Sequence, residues 1–192
     1  MKTLPTIILA SKSPRRQELL SKTGIEFDVV LKEVDESFPE GLQLAEVAIY
    51  IAEKKAKAFD ETLEENDIVL TADTIVCIDN KILGKPEDED HAFEMLSLLS
   101  GRKHEVITGV AFLQDHKIYS FSETTEVYFL PLSNDEIEYY IKTYQPFDKA
   151  GAYGIQEWIG LAGIERINGS YSNVVGLPTH RVYQELQKLI VE

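Results

Sequence analysis

Short apolar runs of strand length alternate along this chain with segments of helical period, and few architectures accept that order. Thr6-Ile7-Ile8-Leu9-Ala10 reads as a short buried strand, broken by Ser11-Lys12-Ser13 and then Pro14. Serine favours a helix cap and proline the first helical position, so Ser13-Pro14 predicts a helix start, with Leu19 and Leu20 inward and Gly24 as its stop. Residues 27–31 read as a second strand, residues 33–40 as an acidic loop, and residues 43–59 as an amphipathic helix. Residues 67–79 begin and end as a strand, and Asp79-Asn80 turns it back through Lys81-Ile82-Leu83. A third helix is expected over residues 87–99, then strands over 105–114, 117–121 and 124–129. Ser133-Asn134-Asp135-Glu136 is a capping box for a helix through Ile141. Residues 151–163 carry strand-like pieces among glycines, and residues 179–191 close as a helix. Helices interleaved with strands and consecutive hairpins predict a mixed α/β fold rather than a purely parallel sheet.

No Pro/Gly/Ser-rich linker, internal repeat or low-complexity tract divides the chain, so residues 1–192 read as a single domain. No apolar run reaches membrane-spanning length, and the apolar stretch within residues 1–11 is too short for an export leader. The one cysteine, Cys77, excludes an internal disulfide and fits a reducing compartment, so a cytoplasmic location is expected. A net charge of −14 sets the chain against polyanions, so neither nucleic acid nor an anionic membrane is an expected partner. A small anion stays admissible wherever local basic residues or a metal outweigh that field.

Several constellations supply such places. Ser11-Lys12-Ser13-Pro14-Arg15-Arg16 joins a strand to a helix whose free N–H groups attract anions, and arginine adds bidentate phosphate recognition. Arginine in a first helical turn opposes the dipole, so a purely structural helix gains little from it. Within Leu70-Thr71-Ala72-Asp73-Thr74-Ile75-Val76, a carboxylate interrupts an apolar strand. Burying Asp73 is costly unless it is paired, hydrogen-bonded or at a metal; it suits either metal binding or taking a proton from water. Gly84-Lys85-Pro86 places a point charge on a turn. Lys54 borders the apolar face of its helix, and Asp35 and Glu36 lie in the acidic loop. Asp148 to Gln156 combines small residues with a side-chain amide able to read a base edge. Each of these has a bland reading alone. The four histidines lack metal-ligand spacing with one another or with Cys77, and no Ser-His-Asp arrangement is legible.

Taken in order from Ile8 to Pro178, the motifs resemble the Maf family of nucleotide pyrophosphatases. The resemblance rests on Ala10 through Arg16, Ala72-Asp73-Thr74, Gly84-Lys85-Pro86, Leu99-Ser100-Gly101, Asp148 through Gln156, and Val175-Gly176-Leu177-Pro178. It implies a long twisted mixed sheet flanked by helices, with two lobes and a cleft, as in Maf and ITPase-like proteins. The implied activity is hydrolysis of nucleoside triphosphates between the α- and β-phosphates, with magnesium or manganese. By similarity Asp73 is the proton acceptor, and Ser11, Ser13, Arg15, Arg16, Glu36, Lys54 and Lys85 bind the triphosphate. Asp73 and Glu36 are the implied metal ligands. The Ala-Tyr-Gly-Ile-Gln run is similar to the branch cleaving dTTP, UTP and modified pyrimidine nucleotides, in which positions matching Arg15, Thr74 and Gln156 set base choice. A homodimer is the family's expectation. Where many relatives have glycine after Gln156, this chain has Glu157-Trp158-Ile159, with Trp158 read as stacking on a base or meeting a partner subunit. The competing reading is a non-catalytic nucleotide-binding regulator of cell division.

Overall fold

A computed structural model describes residues 5–191 of the chain. Residues 1–4, part of the stretch weighed as a leader, lie outside the described residues. Strand β1 (Ile7–Leu9) leads into helix α1 (Pro14–Ser21), β2 (Asp28–Val29) and α2 (Leu44–Lys57). The long strand β3 (Ile68–Ile78) turns back as β4 (Lys81–Leu83), before α3 (Glu89–Leu99). Next come β5 (Lys103–Gln114), β6 (Lys117–Phe129) and α4 (Asn134–Tyr144). The chain finishes with α5 (Trp158–Ala162), β7 (Ile164–Asn168), α6 (Tyr171–Val175) and α7 (Thr179–Val191). The strands form a mixed sheet: β1 runs parallel to β2 and β3, β4 antiparallel to β3, and β7 antiparallel to β6. Among the described residues, no helix is long and apolar enough to cross a membrane.

The chain divides into two compact units, with β3 passing from one to the other between Asp73 and Thr74. The first holds the residues up to Asp73, Thr108–Glu123, and those from Gly176 on. Its strands lie in the order β2-β1-β3-β5-β6. Side chains alternate across a strand, and this decides the position of every group in the candidate site. Ile68, Leu70 and Ala72 join Leu20 of α1 and Val182 and Leu186 of α7 in one buried cluster. Val69, Ala111 and Leu113 instead pack beneath Ala52 and Ala56 of α2. Thr71 and Asp73 share the parity of Val69, so they too face α2. That helix lies very close to the sheet. The Thr71 hydroxyl donates to the Ala52 carbonyl at 2.7 Å, and a Cβ on Gly109 would stand 2.2 Å from the Ala48 carbonyl oxygen.

In the second unit, comprising Thr74–Ile107 and Thr124–Val175, the strand order is β4-β3-β5-β6-β7. Asp79 and Asn80 both take left-handed backbone, φ 50° and 59°, which a two-residue hairpin demands. Ser133 and Glu136 close the capping box at the start of α4. His104, Phe129 and Tyr153 meet edge to face. Cys77 is buried in β3, and desolvation, aided by Glu105, raises its thiol pKa to about 12.

Three sequence expectations need correction. Residues 151–163 form no strand: Ala150–Ala152 is a 3-10 turn and α5 follows, because Gly151 and Ala152 adopt φ 70° and 59°, which break an extended run. The two strands expected over 117–129 are one, since no glycine or proline separates them. The second strand shrinks to Asp28–Val29, an edge with both residues exposed.

Candidate active site

In the first unit, the charged groups converge where the last turn of α2 meets the middle of β3. Lys55 Nζ lies 2.7 Å from Asp73 Oδ1 and 2.8 Å from Glu36 Oε1. The Lys55 and Asp73 side chains are 17% and 14% exposed, so this pair is sheltered enough to hold its geometry. Asp73 reaches Lys55 because its parity in β3 aims it at α2. Lys55 follows Ala52 by three residues and Ile51 by four, so it stands on the buried arc of its helix. Lys54 is rotated outward by one residue. Its ammonium meets Asp35 Oδ2 at 3.0 Å and the Ser37 carbonyl at 3.0 Å. Hydrogen bonds from Ser37, then Lys54, hold the Asp35 carboxyl down to about 2. Sequence reasoning thus singled out Lys54, whereas Lys55 is the lysine that the fold gives to Asp73. The i+3 and i+4 relation to Ala52 and Ile51 was the signal available.

The helix-start loop borders the same carboxylate. Ser13 caps α1 by accepting the Arg16 N–H at 3.5 Å, and Pro14 follows with no N–H to satisfy. The buried Ser11 hydroxyl accepts the Ser13 N–H at 3.3 Å, and Gln17 donates to the Ser11 carbonyl at 3.0 Å. Arg16 donates from Nη1 to the Ala72 carbonyl at 2.9 Å and from Nε to the Gly176 carbonyl at 2.7 Å. It therefore fastens α1 to the residue before Asp73. Burial lowers the pKa of Arg16; Asp73 opposes that, Arg15 adds to it, and Glu36 opposes it. Asp73, Arg15 and Glu36 are thus each within electrostatic reach of Arg16.

The other expected residues belong to the second unit. Thr74 follows Asp73 in β3. Lys85 is exposed on a turn whose Gly84 carbonyl accepts the Gly151 N–H at 3.0 Å. Gly151 packs on β3, and a Cβ there would meet Val76 Cγ1 at 2.9 Å. Gln156 is exposed at the tip of a turn closed by the Glu157 N–H donating to the Gly154 carbonyl at 3.0 Å. Trp158 lies edge-on to Tyr139, ring centres 5.2 Å apart.

The donor set of the first unit fits a hard divalent cation. Two carboxylates already flank one ammonium, and magnesium commonly takes one or two protein carboxylates, leaving phosphate and water to complete its shell. Among the described residues no three His, Cys, Asp or Glu converge as a closed metal cage.

The chain is similar to known proteins over most of its length. A family model described as Maf-like protein matches residues 6–189. A protein of Flavobacterium psychrophilum named dTTP/UTP pyrophosphatase is 54% identical over 177 residues, spanning 92% of this chain and 91% of its own. Another of that name, from Phocaeicola vulgatus, is 52% identical over 184 residues, covering 95% of each chain. A third, from Bacteroides thetaiotaomicron, is 50% identical over the same shares.

Proposed function

The chain belongs to the Maf family, and on that footing we propose that it is a nucleoside triphosphate pyrophosphatase, cutting dTTP and UTP to the monophosphate and pyrophosphate. The observation that carries the reading is the convergence of Asp73 and Glu36 on Lys55, beside a helix start whose Arg16 feels both carboxylates. A triphosphate brings about four negative charges to a protein of net charge −14, so local cations must outweigh the global field.

Asp73 accepts the proton of a water that attacks the α-phosphorus. The bond from that phosphorus to the bridging oxygen breaks, and pyrophosphate departs with the electron pair. Lys55 orients Asp73 through their 2.7 Å contact and presents positive charge to the phosphate oxygens. Arg15, Lys54, Lys85, Ser11 and Ser13 contribute further phosphate donors. Arg16 acts largely through backbone, holding Ala72 and so the stem of Asp73. A magnesium or manganese ion held by Asp73 and Glu36 would neutralise developing charge. Gln156, Thr74 and Arg15 read the pyrimidine. The enzyme works in the cytoplasm.

The test is pyrophosphate release from a nucleotide panel, with and without magnesium, for the native protein and Asp73→Asn. Native turnover on dTTP and UTP is expected, with roughly a 10²-fold or greater loss in the variant and nucleotide affinity largely retained. Near-native turnover by Asp73→Asn would refute its role as proton acceptor. Nucleotide binding without pyrophosphate release by the native protein would favour a regulator instead.

A further inference from the structure

The turn that presents Gln156 is gripped at both ends by one oxygen atom. Tyr140, on α4, has a fully buried side chain. Its hydroxyl accepts the Gly154 N–H at 2.9 Å and donates its own hydrogen to Glu157 Oε2. Gly154 and Glu157 are the first and last residues of the turn, itself closed by the Glu157 N–H on the Gly154 carbonyl. The phenol thus uses its donor on one end and an acceptor site on the other. Burial raises its pKa, and the bond to Glu157 raises it further, so the hydroxyl keeps its hydrogen throughout the working pH range.

The surroundings leave the turn little freedom. Lys149 Nζ holds the other carboxylate oxygen of Glu157 at 3.1 Å. Ile155 is buried, and its carbonyl packs so tightly on Gly160 that a Cβ there would lie 1.8 Å away. Before the turn, the Tyr153 hydroxyl bonds His104 Nε2 at 2.7 Å. Only Gln156 faces outward. Contacts from Tyr140, Lys149, Gly160 and His104 therefore hold a segment whose single exposed side chain is an amide.

We propose that Tyr140 is a positioning residue for base recognition, fixing the orientation of the Gln156 amide through the two ends of its turn. The proposal rests on the reading that Gln156 faces the base. Uracil and thymine carry a carbonyl where cytosine carries an amine. An amide held in one orientation tells these apart, whereas one free to swing or turn over does not. Tyr140→Phe removes a single oxygen, leaving the Gly154 N–H without its acceptor and Glu157 Oε2 without the phenol's hydrogen.

The experiment measures kcat and KM for UTP and CTP in the native enzyme and in Tyr140→Phe, Glu157→Gln and Gln156→Ala, with thermal unfolding of each. The expected result for Tyr140→Phe is about a tenfold fall in the UTP-to-CTP ratio of kcat/KM, the scale of one hydrogen bond, seen mainly in KM. Glu157→Gln, which can still accept from Tyr140 but loses its charge on Lys149, should show a smaller fall in the same direction. It also serves should Tyr140→Phe not fold. An unchanged ratio in a folded Tyr140→Phe, or an equal loss on both nucleotides, would overturn the proposal if Gln156→Ala does shift the ratio. If Gln156→Ala leaves the ratio intact, the base-reading role itself fails and the proposal falls with it.

Discussion

Gly109→Ala adds one methyl group to β5 and no charge, yet it should impair the chemistry. At this position on β5 a Cβ would sit 2.2 Å from both the carbonyl carbon and oxygen of Ala48 and 2.5 Å from the Ile49 nitrogen. These are backbone atoms in the middle of α2, so no side chain can rotate away. Reaching ordinary contact near 3.4 Å requires the helix to lift by about 1.2 Å. Lys55 lies two turns further along the same helix, and its 2.7 Å contact to Asp73 cannot survive that lift unaltered. Misplacement of about 1 Å in a catalytic arrangement costs on the order of 10²-fold, while overpacking costs about 1–3 kcal/mol of stability. The assay pairs kcat/KM on UTP with urea unfolding. A folded Gly109→Ala enzyme with native kinetics would refute the claim that α2 contact sets the position of Lys55.

The two adjacent lysines should separate cleanly. Lys55→Met is expected to lower kcat on the order of 10²-fold, whereas Lys54→Met, which breaks an exposed pair with Asp35, should cost far less. Steady-state kinetics decides; equal losses would dissolve the distinction. His104 supplies a pH signature. Its burial lowers its pKa to about 3, while in the unfolded chain it protonates near its ordinary value of 6.5. Between those values the unfolded state binds the extra proton, so stability falls as pH drops through that window, by about 2 kcal/mol from pH 7 to pH 5. His104→Phe should flatten that part of the unfolding curve; a profile parallel to the native one would contradict the assignment.

Much of the fold could be read where local chemistry and tertiary packing agree. Ser13-Pro14 opens α1, Asp79-Asn80 turns β3 into β4, and Ser133 with Glu136 starts α4, each through a backbone requirement that few residues meet. Asp73 was legible because an acid in an apolar strand needs a partner. The partner was not legible in the same way. Lys54 and Lys55 differ by one step of helical rotation, and choosing between them takes the parity of Asp73 in β3 together with the seating of α2. Residues 151–163 misled because glycines among apolar residues fit an irregular strand as well as a tight turn. The left-handed backbone at Gly151 and Ala152, a property of tertiary packing, decides between them. The Tyr140 latch was invisible for another reason: it joins residues fourteen and seventeen positions apart through one hydroxyl.

The sequestered sulfur of Cys77 has a practical corollary. A thiol with so high a pKa, shut inside β3, yields almost no thiolate at neutral pH and should ignore maleimides and mild oxidants. The native chain is then already a blank background for labelling. A single cysteine introduced at an exposed position would be the sole reactive handle, ready for a fluorophore or spin probe without prior removal of any natural residue.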